Sequence, residues 1–117
     1  LAQNLAIDGI LYPLVYGRFD AEGQRLGGAG VSMLTEFMTD WSAENGKWAA
    51  AVIKTAAADS PENAALISGW FNTWSRRAAD AFRPLAIHVL GTEAGTAAID
   101  EVLGALTARA RTLGLAA

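Results

Sequence analysis

The 117 residues include no cysteine, three prolines and one histidine. Without cysteine there are no disulfide staples, thiolate metal sites or thiol catalysis, a composition that suits a reducing compartment. Basic residues are also scarce: nine Lys and Arg stand against twelve Asp and Glu, a net charge of −3. No positive surplus is left to neutralise phosphates or anionic lipid, so neither nucleic acid nor a membrane is an expected partner. No apolar run approaches the ~18 residues that would span a bilayer, and residues 1–15 lack the basic start of a signal peptide. The expected setting is the cytoplasm.

What the sequence does have is apolar surface. The hydrophobic share is 52% and the charged share 18%, against typical values of about 45–50% (glycine included) and about 25%. A chain of this length supports one core, so residues 1–117 are expected to form a single unit. Four helical elements cannot hide that much apolar surface, which points to burial against other polypeptide. The sequence opens at Leu1, without an initiator Met and within an amphipathic pattern, and reads as cut from a longer chain.

Alanine is the most abundant residue, and periodicity predicts an all-α fold of about four helices. Leu5, Ile7, Ile10, Leu11, Leu14 and Val15 make a first helix from Leu1 to Tyr16, with a kink expected at Pro13 and an end at Gly17. The stretch from Arg18 to Gly30 is rich in glycine and is read as a mobile loop. Val31, Leu34, Met38, Trp41, Trp48 and Val52 fall three, four or seven apart and predict a long second helix from Val31 to about Ala58. Asp59 or Ser60, followed by Pro61 and Glu62, signals a new helix start. The third helix carries Ile67, Trp70, Trp74, Ala78, Ala81 and Leu85 on one stripe, with a second kink expected at Pro84 and an end at Gly91. A fourth begins at Thr92 and Glu93, carries Ile99, Val102, Leu103, Leu106 and Leu113, and ends at Gly114.

Few residues offer chemistry. A di-iron site in a helical bundle uses Glu-x-x-His pairs, which place both ligands on one helix face. The residue three before His88 is Leu85, so that pair is absent, and a packed or partner-bonded imidazole is the better reading of His88. Glu36, Asp40 and Glu44 make an acidic line that fits a solvated face better than a cation site. Arg76, Arg77, Asp80 and Arg83 are explained by surface ion pairs. The run Gly27-Gly28-Ala29-Gly30 has no preceding strand and no following Gly-Lys-Ser/Thr, so it is read as a connector and not a phosphate cradle. Ser32, in Gly30-Val31-Ser32-Met33-Leu34, lacks the second glycine of a nucleophile elbow. No catalytic, cofactor-binding or metal residue is assigned.

The most distinctive feature is the four tryptophans. Trp41 and Trp48 are seven apart, and Trp70 and Trp74 are four apart, so each pair lies along one helix face. Two roles are open to them, core filling and anchoring into a partner subunit. A different class of reading is a free-standing helical ligand-binding or enzymatic domain in which the aromatics line a pocket.

Three stretches carry a likeness to a known family: Ala2-Gln3-Asn4-Leu5 with Asp8-Gly9 and Pro13-Leu14; Ser32-Met33-Leu34-Thr35-Glu36-Phe37-Met38 with Trp41; and Asn63-Ala64-Ala65-Leu66 with Gly69-Trp70. With these, the chain resembles the C-terminal part of the β subunit of bacterial multicomponent phenol and toluene monooxygenase hydroxylases, up to about Leu90. The resemblance implies a ferritin-like helical segment without ligands of its own, paired with an α subunit that holds a di-iron centre. It further implies a γ subunit and a regulatory protein as partners, in an assembly that inserts one oxygen atom of O₂ into an aromatic ring.

Overall fold

The computed structural model describes residues 2–117, with the side chains of Ala2, Ala29, Val31 and Leu34 outside the description. The predicted stripe positions Val31 and Leu34 therefore lie outside the described side chains, as does Leu1. The fold is an all-α bundle with no strand among the described residues. An N-terminal helical run over residues 2–25 is followed by three long helices. The run alternates between π-helical turns (Ala2–Ile7 and Pro13–Phe19) and α-helix (α1, Asp8–Tyr12; α2, Asp20–Arg25). The long helices are α3 (Ala29–Asp59), α4 (Pro61–Leu90) and α5 (Thr92–Thr112).

The N-terminal run departs from the sequence expectation. The backbone does not leave the helix at Gly17, and the expected mobile loop of residues 18–30 is mostly helical, leaving only a short turn around Gly27. At Pro13, where an α-helical ring would lack a donor and clash with the carbonyl four residues back, the path switches to wider π turns. Beyond Gly17, local pairing holds α2: the Gln24 amide donates to Asp20 at 2.6 Å, and Arg25 donates to both carboxylate oxygens of Glu22 at 2.9 and 2.5 Å. Ser32 of α3 donates to Asp20 at 2.5 Å and ties the two helices together. These i,i+3 and i,i+4 contacts outweigh the glycine content that suggested a loop.

The later boundaries follow the start and stop signals in the sequence. A single residue, Ser60, separates α3 from α4 and is extended at φ −157° and ψ 155°. Its hydroxyl accepts from the Asn63 amide at 3.1 Å, and Pro61 occupies the first helical position. Replacing Ser60 with Ala is expected to cost about 1 kcal/mol in equilibrium unfolding, the usual loss for an N-cap oxygen. At the far end of α5 the Leu115 amide reaches the Ala110 carbonyl at 3.2 Å, and the Gly114 amide reaches Arg111 at 3.1 Å. With Gly114 at φ +86°, this is a Schellman closure. The tail then docks on α4, where Asn72 donates to the Ala116 carbonyl at 2.8 Å and the Ala116 amide donates to Ser68 at 3.0 Å.

Helix α4 lies at the centre and packs against α5, α3 and the N-terminal run. On α5 the predicted face is the observed one: Ile99, Val102, Leu106 and Leu113 are buried, and Leu103 is partly so. On α3 and α4 it is not. The buried line of α3 runs through Gly46, Ala49 and Ile53, and that of α4 through Ile67, Phe71, Ser75, Ala78, Ala79 and Ala86. Of the stripes read from the sequence, only Ile67 and Ala78 are buried, Met38 is half-buried, and Trp41, Trp48, Val52, Trp70, Trp74, Ala81 and Leu85 are exposed. The reason is that small residues face inward. They let helix axes approach, and the buried Ser75 satisfies its hydroxyl by donating to the Phe71 carbonyl at 2.7 Å. The helices come very close at Gly95 of α5, where a Cβ would stand 2.5 Å from the Ala86 carbonyl oxygen of α4. The bundle is a flattened slab with principal extents of 50 × 28 × 17 Å, so its thin dimension is that of about two packed helices.

Candidate functional site

Two features stand out on this slab: an outward aromatic surface and a polar cleft. The aromatic surface belongs to α3 and α4. At about 100° per residue, Trp41 and Trp48 sit roughly 120–140° around α3 from Ile53, and Trp70 and Trp74 roughly 60–100° around α4 from Phe71. Relative exposures are 52% for Trp41, 61% for Trp48, 47% for Trp70 and 39% for Trp74, so none of the four fills the core of this chain. Met33, Phe37 and Leu66 are exposed as well. The Trp41 ring lies 6.0 Å from that of Tyr12, and the Arg77 guanidinium stands 5.3 Å over the Trp74 ring. The acidic residues Glu36, Asp40 and Glu44 are exposed on another side of α3, where Lys47 pairs with Glu44 at 2.6 Å.

The cleft, of about 320 Å³, opens between the N-terminal run, α3 and α5. Gly9, Val102, Ala105 and Leu106 give it apolar walls, while Asn4, Asp8, Ser42 and Asn45 bring polar groups from two elements. None of those four side chains has a hydrogen bond or ion pair among the described residues. The two cleft arginines are engaged. Arg18 pairs with Glu101, and Arg109 donates to the Gly46 carbonyl at 2.6 Å. That contact explains the glycine within α3, since a Cβ at Gly46 would stand 3.1 Å from the Arg109 guanidinium.

Burial pushes the Asp8 carboxyl above its ordinary value, and burial together with the charge of Asp8 pushes the Tyr12 phenol up. The ionised form of Asp8 is therefore disfavoured in the folded state, a penalty present at neutral pH and relieved as the pH falls through the raised pKa. Asp8→Asn is accordingly expected to raise the thermal midpoint at pH 7. That gain should shrink on acidification and vanish below the ordinary carboxylate range, as checked by melting curves between pH 3 and 8. Sequence reasoning missed this cleft. Asn4 and Asp8, four apart and polar within an apolar helix, were its only local sign, and the contributions of Ser42 and Asn45 depend on how α3 is set against the run.

The other motifs form no site. Among the described residues no three His, Cys, Asp or Glu side chains come together in a metal-holding group, and His88 is exposed on α4. This donor set does not fit a di-iron centre, and no oxygen chemistry is assigned to these residues. The amides of Gly27 and Gly28 bond to the carbonyls of Gln24 at 3.0 Å and Gly23 at 2.8 Å, so they are not open to a phosphate. The Ser32 hydroxyl donates to the Asp20 carboxylate and serves as a tie between α2 and α3. Arg83 bridges α4 to α5 through Asp100 at 3.0 Å. No helix among the described residues is long and apolar enough to cross a membrane.

The described residues thus form an all-helical slab with tryptophans turned outward on α3 and α4. The chain belongs to the methane, phenol and alkene hydroxylase family, whose model, described as Methane/Phenol/Alkene Hydroxylase, matches residues 1–60. It is 44% identical over 98% of its length to the oxygenase component DmpL of phenol 2-monooxygenase from Pseudomonas sp. (strain CF600). It is also 40% identical over 98% of its length to the oxygenase component MhpL of phenol 2-monooxygenase from Acinetobacter pittii (strain PHEA-2). The chain spans about a third of the length of these relatives, 34% and 33% respectively. No solved structure matches it.

Proposed function

We propose that the chain is part of the non-catalytic, ferritin-like β subunit of a cytoplasmic di-iron phenol or toluene monooxygenase hydroxylase. Its role is to pack against and support an α subunit that carries the iron, within an assembly that also includes a γ subunit and a regulatory protein. The observation that carries the proposal is the outward position of Trp41, Trp48, Trp70 and Trp74, large apolar side chains left partly in water by a chain whose own core is closed without them by Leu, Ile, Val, Phe71 and alanines. Similarity to two oxygenase components over nearly the whole chain supports it. Buried aromatics dominate the energetics of interfaces, and tryptophan is among the residues most often found as an anchor.

The test is association. Trp70→Ala is expected to weaken binding to the iron-bearing subunit by about 2 kcal/mol or more, a rise in Kd of roughly thirty-fold, while leaving the helix content of the chain unchanged. Sedimentation of the reconstituted pair measures this directly. Wild-type affinity in each of the Trp41, Trp48, Trp70 and Trp74 alanine variants would sink the reading.

A further inference from the structure

We propose that the cleft between the N-terminal run, α3 and α5 binds a small organic cation, a primary or secondary ammonium on a short apolar body, with Asp8 as its counter-ion. The volume of about 320 Å³ is ten times the ~30 Å³ share of a single water, and stands at the lower end of the roughly 300–1,000 Å³ range of small-ligand sites. The two carboxylates and two guanidiniums of the lining sum to zero formal charge, and what selects a cation is that Asp8 is the one of the four without a direct partner among the described residues. Arg18 is neutralised by Glu101. Arg109 is bonded to the Gly46 carbonyl and lies in the last turn of α5, where the helix carbonyls carry negative partial charge. Asp8 alone among the charged groups lining the cleft has neither a counter-charge nor a hydrogen bond among the described residues. The chain is helical on both sides of Asp8, so no open helix start offers it free amides either.

The surroundings of the carboxylate specify the rest of the ligand. Asn4, Ser42 and Asn45 bring oxygen acceptors with no other commitment, which a primary or secondary ammonium can reach with its remaining protons. A quaternary ammonium has no proton to give, and the lining contains no aromatic ring to hold it by its charge alone. The Val102, Ala105 and Leu106 walls suit a short hydrocarbon body. A half-buried carboxylate that lines a cavity and whose ionised form is disfavoured by burial has the pattern of a group that serves binding.

The experiment is calorimetric titration of the full-length protein, assembled with its partners, with n-butylammonium chloride at pH 7. n-Butanol serves as the uncharged comparison and tetramethylammonium chloride as the non-donating one. The expected result is saturable binding of n-butylammonium that is at least about ten-fold tighter than either comparison. Asp8→Asn should lose that binding by about ten-fold or more while melting higher than wild type in the absence of ligand, and Asn45→Ala should lose a smaller part. Absence of saturable binding, as would follow if another polypeptide segment fills the cleft, overturns the proposal. So does equal binding of n-butanol, or unchanged n-butylammonium binding in Asp8→Asn. None of these readouts depends on which subunit holds iron, and the Trp70→Ala association assay reports on that separately.

Discussion

Phe71→Ala is expected to destabilise the protein by about 3–5 kcal/mol, the range for removing a buried aromatic ring and leaving a cavity. Phe71 is 3% exposed and sits about a third of the way along α4, within the cluster that also holds Ile53 and Ile99. Rigid helices surround the site, and the inward small residues beside it cannot swing in to fill the gap. Its neighbour on the helix gives the contrast. Trp74 is larger but 39% exposed, so Trp74→Ala should cost the isolated fold well under half as much. Urea denaturation of the two variants separates the faces of α4. Equal losses would mean that the helix is rotated relative to the arrangement described above.

Gly95→Ala is expected to destabilise by about 2 kcal/mol even though alanine is the better helix former. The added methyl would lie 2.5 Å from the Ala86 carbonyl oxygen and 2.6 Å from both the Ala86 carbonyl carbon and the Ile87 nitrogen. Those are backbone atoms, so no rotamer change can relieve the clash, and α4 and α5 must move apart along the seam that buries Ile99 and Val102. Overpacking of this kind costs roughly 1–3 kcal/mol or more, against about 1 kcal/mol gained in helix propensity. Gly104, on the same helix with nothing within 4 Å of its would-be Cβ, is the control. Gly104→Ala should stabilise by up to about 1 kcal/mol. Opposite signs at two glycines nine residues apart would show that backbone approach across the α4–α5 seam, and not helix propensity, decides the effect at Gly95.

The sequence revealed the helices more clearly than their orientation. Pro61 after Ser60, Gly91 and Gly114 punctuate the chain through local chemistry, and local chemistry can be read without knowing the neighbours. The face of α5 was also legible, because its largest apolar residues, Ile99, Val102 and Leu106, are the buried ones. On α3 and α4 the same rule of following the large apolar residues picked the wrong side. Size marks the core only when nothing else competes for the large residues. Here Trp41 and Trp70 are left outside, and Ala49 and Ala79 take the interior. The helix at Asp20–Arg25 was hidden for another reason: side-chain pairs across one turn, and a single bond from Ser32, stabilise a segment whose composition alone suggested a loop. Asp8 could be noticed as polar on an apolar helix, but the cleft around it needs α3 and α5 in place.

The outward indoles also decide how this molecule can be watched. All four chromophores are already 39–61% exposed in the folded chain, so denaturation changes their surroundings less than it would for core tryptophans, and far-UV circular dichroism is the more direct monitor for the Phe71 and Gly95 variants. Conversely, anything that settles over α3 or α4 removes water from those rings and shifts their emission to the blue. The fluorescence of the protein is thus a built-in gauge of cover.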